Sequence, residues 1–256
     1  MNDTTAKNVV IYGAAGGIGS AVAEAFAAQG DTVHLCGRTA ETLEALAARL
    51  RERGGKAETA VVDAFDEAAV EAHAAGVGRI DVSLNLVPRG DVQGIPLIEM
   101  STEDLTRAVT NGLRTNHITA RAAARRMVAQ GEGLILALDS GSAHPSPMMG
   151  STCPADAALD TFVRSLALEL GAHGVRAMGI WVAGLLETLT VEKLRAVNAA
   201  IDEQAVAGIH AGLDQARMLG RSPRLADVAE TIVFLASPAA RGLTGTWINA
   251  TGMFTS

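Results

Sequence analysis

Short apolar runs of strand length alternate along this chain with longer stretches in which apolar residues recur every three to four positions. The first run, Val9-Val10-Ile11-Tyr12, leads into Gly13-Ala14-Ala15-Gly16-Gly17-Ile18-Gly19 and then into an Ala-rich segment from 20 to 29. That order predicts a strand, a tight glycine turn and a helix whose core-facing set is Ile18, Val22, Ala25 and Phe26. A second strand over 32–36 ends at Gly37-Arg38, and Leu43, Leu46, Ala47 and Leu50 then mark one helical face that Gly54-Gly55 stops. Residues 57–62 predict a strand, 66–75 a short helix and 80–84 a fourth strand, followed by a loop carrying Pro88, Gly90, Gly94 and Pro96.

The second half continues the alternation. Ser101-Thr102-Glu103-Asp104 is a capping-box start for a helix, Asn111-Gly112 interrupts the pattern, and 118–130 is strongly helical. A strand is predicted at 134–138, a loop at 139–154, and a helix over 155–171 with Leu159, Phe162, Val163, Leu166 and Leu170 on one face. A strand at 175–182, a helix at 227–236 and a strand at 246–249 follow. Between them, 185–221 reads as helical or mobile: either a substrate lid or a pair of packing helices. Strands separated by helices imply parallel pairing with right-handed crossovers, so the expectation is an α/β fold, one doubly wound parallel sheet in a three-layer α/β/α domain spanning 1–256.

Composition narrows the function. With 256 residues and 48% apolar content, the chain can bury a full core. A net charge of −7 argues against a nucleic-acid or anionic-membrane surface. Cys36 and Cys153 are too few for a disulfide framework or a zinc site, which fits a reducing cytoplasm. Neither a secretory leader nor an apolar run of about 18 residues is present, so no membrane association is expected.

The glycine turn carries the first chemistry. Gly13 permits a sharp turn, Gly17 lets backbone approach a pyrophosphate with no Cβ in the way, and Gly19 lets the helix pack against the strand, a Rossmann-like arrangement. The phosphate would rest on the N-terminus of the helix, where free N–H groups and the macrodipole favour an anion. At the end of the second strand an acidic residue would select NAD through the ribose 2′-hydroxyl. Gly37 stands there instead, with Arg38 next and Thr39 as a further donor, a pairing suited to the 2′-phosphate of NADP(H) over NAD(H).

From Val9 to Gly252 the chain resembles the short-chain dehydrogenase/reductase family, classical type. The resemblance rests on the glycine motif, on Asp63 after the third strand, on Asn85 where the family's Asn-Asn-Ala-Gly begins, and on Ala183-Gly184-Leu185-Leu186-Glu187-Thr188, similar to the segment beside the nicotinamide. Gly220-Arg221, Pro223, Asp227-Val228-Ala229, Phe234-Leu235-Ala236-Ser237 and Thr244-Gly245 match the C-terminal signature. The resemblance implies a dinucleotide site built from Gly13, Ala15, Gly17, Ile18, Gly19, Arg38, Thr39, Asp63, Asn85, Gly184 and Thr188, with Asp63 at the adenine. It also implies a homo-oligomer, a tetramer or dimer, packed through the helices that begin at Ser101 and Ala155; the faces 120–124 and 159–170 are consistent with that and equally with burial in one subunit.

The same resemblance places a catalytic Tyr and a Lys four residues on at positions held by Thr152 and Asp156, while Tyr12 is in the first strand and Lys7, Lys56 and Lys193 are elsewhere. A phenol near pKa 10, lowered by a neighbouring cation, exchanges protons near neutral pH; a Thr hydroxyl beside a carboxylate does not. Ser140 matches the family's catalytic Ser, with Asp139 and Ser142 as alternatives, and the Asn position falls on Gly112 with Asn111 and Asn116 close by, of which Asn111 is the candidate. His144, Asp156 and Cys153 are the groups that could move a proton instead. Three readings follow: an NADP(H)-dependent oxidoreductase with an atypical site acting on a carbonyl or activated alkene; an inactive NADP(H)-binding protein or partner subunit; and a non-redox elimination or isomerisation using His144 and Asp156.

Overall fold

The computed structural model describes residues 6–141, 148–195 and 201–253. Among them seven strands form one sheet in the order β3-β2-β1-β4-β5-β6-β7. They are β1 (Asn8–Tyr12), β2 (Thr32–Gly37), β3 (Lys56–Val61), β4 (Val82–Asn85), β5 (Gly133–Asp139), β6 (Val175–Trp181) and β7 (Trp247–Asn249), and each adjacent pair runs parallel. Strand alternation sends Val9 and Ile11 to one face and Val10 and Tyr12 to the other, so both faces need cover. The first is covered by α1 (Gly17–Ala28), α2 (Ala40–Glu52) and α8 (Leu225–Leu235), through Val22, Phe26, Leu43, Leu46, Leu50, Val228 and Ile232. The second is covered by α3 (Glu67–Val77), α4 (Thr102–Gln130) and α5 (Thr152–Leu170), through Val70, Ile118, Ala122, Met127, Leu159 and Val163. The three-layer α/β/α expectation holds.

The differences are local and have physical causes. In α1, Val22 and Phe26 are buried as expected, but Ile18 and Ala25 are only half-buried and Gly19, Ala23 and Ala27 take the core instead. The expected break at Asn111-Gly112 does not occur: α4 runs unbroken for 29 residues, capped by the Ser101 hydroxyl accepting from the Asp104 N–H at 3.0 Å and stopped by left-handed Gly131. A mid-helix glycine costs about 1 kcal/mol, and packing on both sides of that position outweighs it. The faces offered for oligomer contact are largely consumed within the subunit, since Ala120, Ala122, Ala123, Ala124, Leu159 and Val163 are buried; of the large apolar side chains on α5, Leu168 is strongly exposed, at 85%. Residues 185–221 contain a 3-10 turn (Leu186–Thr188), α6 (Val191–Arg195) and α7 (Glu203–Gln215). Among the described residues no helix is long and apolar enough to cross a membrane.

Candidate active site and dinucleotide cradle

The strand order reverses between β1 and β4, and in open α/β sheets the crevice outside the carboxyl ends of the strands at such a point receives the ligand. On the β1 side, Gly13 has φ +79°, and its N–H and that of Ala14 both donate to the Cys36 carbonyl, at 2.9 and 3.2 Å. A Cβ on Gly13 would stand 2.8 Å from the Leu86 carbonyl oxygen, so the turn is pressed against the chain leaving β4. A Cβ on Gly19 would stand 2.5 Å from the Gly13 oxygen and 2.7 Å from the Ala14 oxygen, which is the close helix approach expected of that glycine. Gly17, Ile18 and Gly19 open α1, so their N–H groups have no acceptor within the helix, and no acidic side chain sits in that first turn. The cradle therefore fits a pyrophosphate. Its roof is Thr188, whose Cγ2 would lie 3.3 Å from a Cβ on Gly17 and whose hydroxyl donates to the Leu185 carbonyl at 2.8 Å. Gly184, at φ +57°, is held by Arg217, a buried guanidinium that donates to the Ala183 and Gly184 carbonyls at 2.8 and 3.2 Å and also to Thr251.

The remaining binding candidates fall around this cradle. Ala15 is exposed on the turn, and Arg38 and Thr39 are exposed where β2 passes into α2. Asp63 is half-buried just past β3 and accepts from the Phe65 N–H at 3.0 Å. Asn85 is buried; its side-chain N–H donates to Thr115 at 3.1 Å and its oxygen accepts from the Val87 N–H at 3.0 Å, which shapes the exit from β4.

The other end of the crevice is organised by Asp156, which is fully buried. Its Oδ2 accepts from the Ser140 hydroxyl at 2.6 Å and from the Ser140 N–H at 3.2 Å, and its Oδ1 pairs with the Arg89 guanidinium at 2.8 Å. Arg89 also pairs with Asp91 at 2.6 Å. Burial works against the guanidinium charge, but Asp91 and Asp156 outweigh it and hold Arg89 above its ordinary pKa. Its stem lies against α4 at Gly112, where a Cβ would come within 2.8 Å of the Arg89 Cδ, and the Asn111 side chain donates to the Arg89 carbonyl at 3.0 Å. The loop after β4 is thus seamed to the start of α5: the Ser151 hydroxyl accepts from the Val92 N–H at 2.9 Å, and the Gln93 side chain donates to the Thr152 hydroxyl at 2.9 Å. Thr152 and Asp156 are one helical turn apart, and both face inward.

Asp139, at the end of β5, is the second carboxyl here. Its Oδ1 accepts from the Gly141 N–H at 2.8 Å, while its buried Oδ2 has no hydrogen-bond partner among the described residues. Burial first, and then the charge of Asp156, pushes its pKa up to about 8. Half-buried Asp160, one turn along α5 from Asp156, is raised as well, chiefly by burial. Ser140, Thr152, Asp156 and Asn111 are therefore brought to one place, with Asn111 acting through the Arg89 backbone; His144 and Ser142 lie outside the described residues. Sequence reasoning missed Arg89, although a Pro-Arg-Gly-Asp loop directly after β4 was a visible signal.

Against known proteins, the family model described as enoyl-(acyl carrier protein) reductase matches residues 13–253. The chain belongs to the short-chain dehydrogenase/reductase family. It is 32% identical over 248 residues to the short-chain reductase protein NovJ of Streptomyces niveus, covering 95% of this chain and 92% of that one. Its fold matches NAD+-bound xylitol dehydrogenase with a TM-score of 0.84 at 22% identity, over 98% of this chain and 100% of that one. It also matches actinorhodin polyketide ketoreductase with NADPH, with a TM-score of 0.81 at 22% identity over 96% of each chain. One of these structural neighbours is bound to NAD+ and the other to NADPH.

Proposed function

We propose that this chain is an NADP(H)-dependent oxidoreductase with an atypical active site, acting on a carbonyl or an activated alkene. The observation that carries the proposal is the Ser140 hydroxyl donating to the buried Asp156 carboxylate at 2.6 Å, with Arg89 held on the far oxygen. A hydroxyl that donates to a carboxylate has an oxygen that can itself accept a proton. Ser140 can therefore take a proton from a substrate hydroxyl while passing its own to Asp156, and the reverse delivers a proton to a developing alkoxide. Arg89 keeps Asp156 oriented, and Thr152, tied to Gln93, borders the same place. A bound dinucleotide would supply or accept the hydride. The residues suited to hold it are the turn from Gly13 to Gly19 for pyrophosphate, Arg38 and Thr39 for a 2′-phosphate, Asp63 for the adenine, and Gly184 and Thr188 toward the nicotinamide. Free Cys36 and Cys153 support placement in a reducing cytoplasm, and exposed Leu168 supports a homo-oligomer.

The test is nicotinamide absorbance across a panel of ketones, enones and alcohols, for the parent and for Asp156→Asn. Loss of a positioned proton-transfer group lowers kcat by roughly 10²–10⁴ while dinucleotide affinity remains measurable. Turnover that is equal in both proteins would remove Asp156 from the chemistry. A second reading, an NADP(H)-binding protein or partner subunit without redox activity, is favoured by the complete burial of Asp156 and near-complete burial of Thr152. It predicts binding without turnover on any of the panel.

A further inference from the structure

The charge at the β5 end of the crevice has a consequence for the form of the dinucleotide, and it rests on the binding site proposed above. β5 lies two strands from β1 in the sheet, about 10 Å at the usual strand spacing, so Ser140 and Asp156 would be within reach of a dinucleotide whose pyrophosphate rested on the glycine turn. The groups there are mostly acidic. α5 contributes Asp156, fully buried, and Asp160 with the nearby charge of Arg164; β5 contributes Asp139, buried with one oxygen unpartnered among the described residues; the loop after β4 contributes Asp91 and Arg89, which Asp91 and Asp156 share. α4 faces the cluster with uncharged Gly112 and Asn111, and β6 with Trp181, against which Gly141 is packed. Lysine is absent from this set.

The oxidised nicotinamide ring carries a positive charge and the reduced ring none, while the two dinucleotides share every other recognised group. Their affinity ratio therefore isolates the ring charge. We propose that the buried carboxyl groups of Asp156 and Asp139 make this site select the oxidised dinucleotide over the reduced one, and so set the site to take electrons from an alcohol. A bound oxidised dinucleotide would accept the hydride lost by the alcohol carbon, while the alcohol's hydroxyl proton passes to the Ser140 oxygen and the Ser140 proton passes to Asp156. A carbonyl compound, the reduced dinucleotide and a protonated Asp156 result. Because burial keeps Asp139 protonated up to about pH 8, a cationic ring nearby favours its ionised form, so oxidised-form affinity should rise with pH through that region.

The experiment is a pair of calorimetric titrations, with NADP+ and with NADPH, on the parent, on Asp156→Asn and on Asp139→Asn, each checked for fold by circular dichroism. Expected is about tenfold tighter binding of NADP+ by the parent, about 1.4 kcal/mol, falling toward parity in Asp156→Asn. In Asp139→Asn the rise of NADP+ affinity between pH 6 and 9 is lost. NADPH binding as tightly as NADP+ in the parent, or a ratio that Asp156→Asn and Asp139→Asn both leave unchanged, overturns the inference and leaves the dinucleotide site standing. Failure of both forms to bind overturns the site itself, and the inference with it.

Discussion

Arg89→Ala probes the site most directly through stability. The substitution removes the guanidinium that pairs with Asp156 at 2.8 Å and leaves a carboxylate at 0% exposure without that counter-ion, though it still accepts from the Ser140 hydroxyl and amide. Breaking a buried ion pair from one side costs about 3–5 kcal/mol, because the orphaned charge must be kept out of water. For a domain of this length each kcal/mol moves the melting temperature by about 2–4 °C, so the variant should melt roughly 6–20 °C below the parent. Thermal unfolding followed by circular dichroism measures this, with Arg53→Ala as the control. Arg53 meets Glu24 at 3.4 Å with 68% of its side chain exposed, and an exposed pair is worth about 0–1 kcal/mol. Replacing Arg89 and Asp156 together by Leu should recover much of the loss, since an apolar pair carries no stranded charge. Gly112→Ala should reproduce part of the loss by pushing the Arg89 stem aside, and should add little on top of Arg89→Ala. If Arg89→Ala melts within about 2 °C of the parent, as a surface pair would, Asp156 does not depend on Arg89 and the account of the site fails.

Gly19→Ala places a methyl within 2.5 Å of the Gly13 carbonyl oxygen, so both stability, by about 1–3 kcal/mol, and dinucleotide binding should fall, as seen in urea unfolding and titration. Arg38→Ala should weaken NADP+ by about tenfold or more, the loss of one charge-assisted contact, while leaving NAD+ binding nearly unchanged in parallel titrations. Burial depresses the pKa of His34, and burial followed by the His34 charge depresses that of His73. Both bind fewer protons folded than unfolded, so the stability they allow is complete above about pH 6.5 and is lost as pH falls below it. Urea midpoints at pH 8 and pH 5 should differ more in the parent than in His73→Phe. Asp139 has the opposite sign: raised from 3.8 to about 8, it favours the fold at low pH and this contribution is lost as pH rises through that value. Asp139→Asn should therefore gain on the parent between pH 5 and pH 9 in the same assay.

Much of the architecture was legible because it follows from period and punctuation. The spacing of Leu43, Leu46, Ala47 and Leu50 identified a helix face that is wholly buried, and the glycine turn lies between β1 and α1 with the expected φ at Gly13. The break expected at Asn111-Gly112 failed because local propensity reads a glycine as a stop, whereas here its missing side chain makes room for Arg89, which arrives from the loop after β4. The same blindness to long-range contact hid the counter-ion of Asp156. Sequence showed that a carboxylate stood where the resemblance puts a lysine; it did not show that a cation reaches the same spot from the loop after β4. The raised pKa of Asp139 was equally out of reach, since it depends on burial and on a neighbour 17 residues away.

The glycine at 112 also constrains how this site could be altered. An Asn at that position would meet the Arg89 stem, a Lys at 156 would face the Arg89 guanidinium, and a Tyr at 152 would displace the Gln93 contact. The changes at 112 and 156 toward the site that the resemblance implies are thus harmful while Arg89 remains, and Arg89 cannot leave first without stranding Asp156. A path from one site to the other would run through a paired change of residues 89 and 156, with 112 open to change only afterwards and 152 limited by Gln93. Asp156→Lys with Thr152→Tyr should accordingly yield carbonyl reductase activity only in an Arg89→Ala background, which makes the route into this active site as restricted as the site itself.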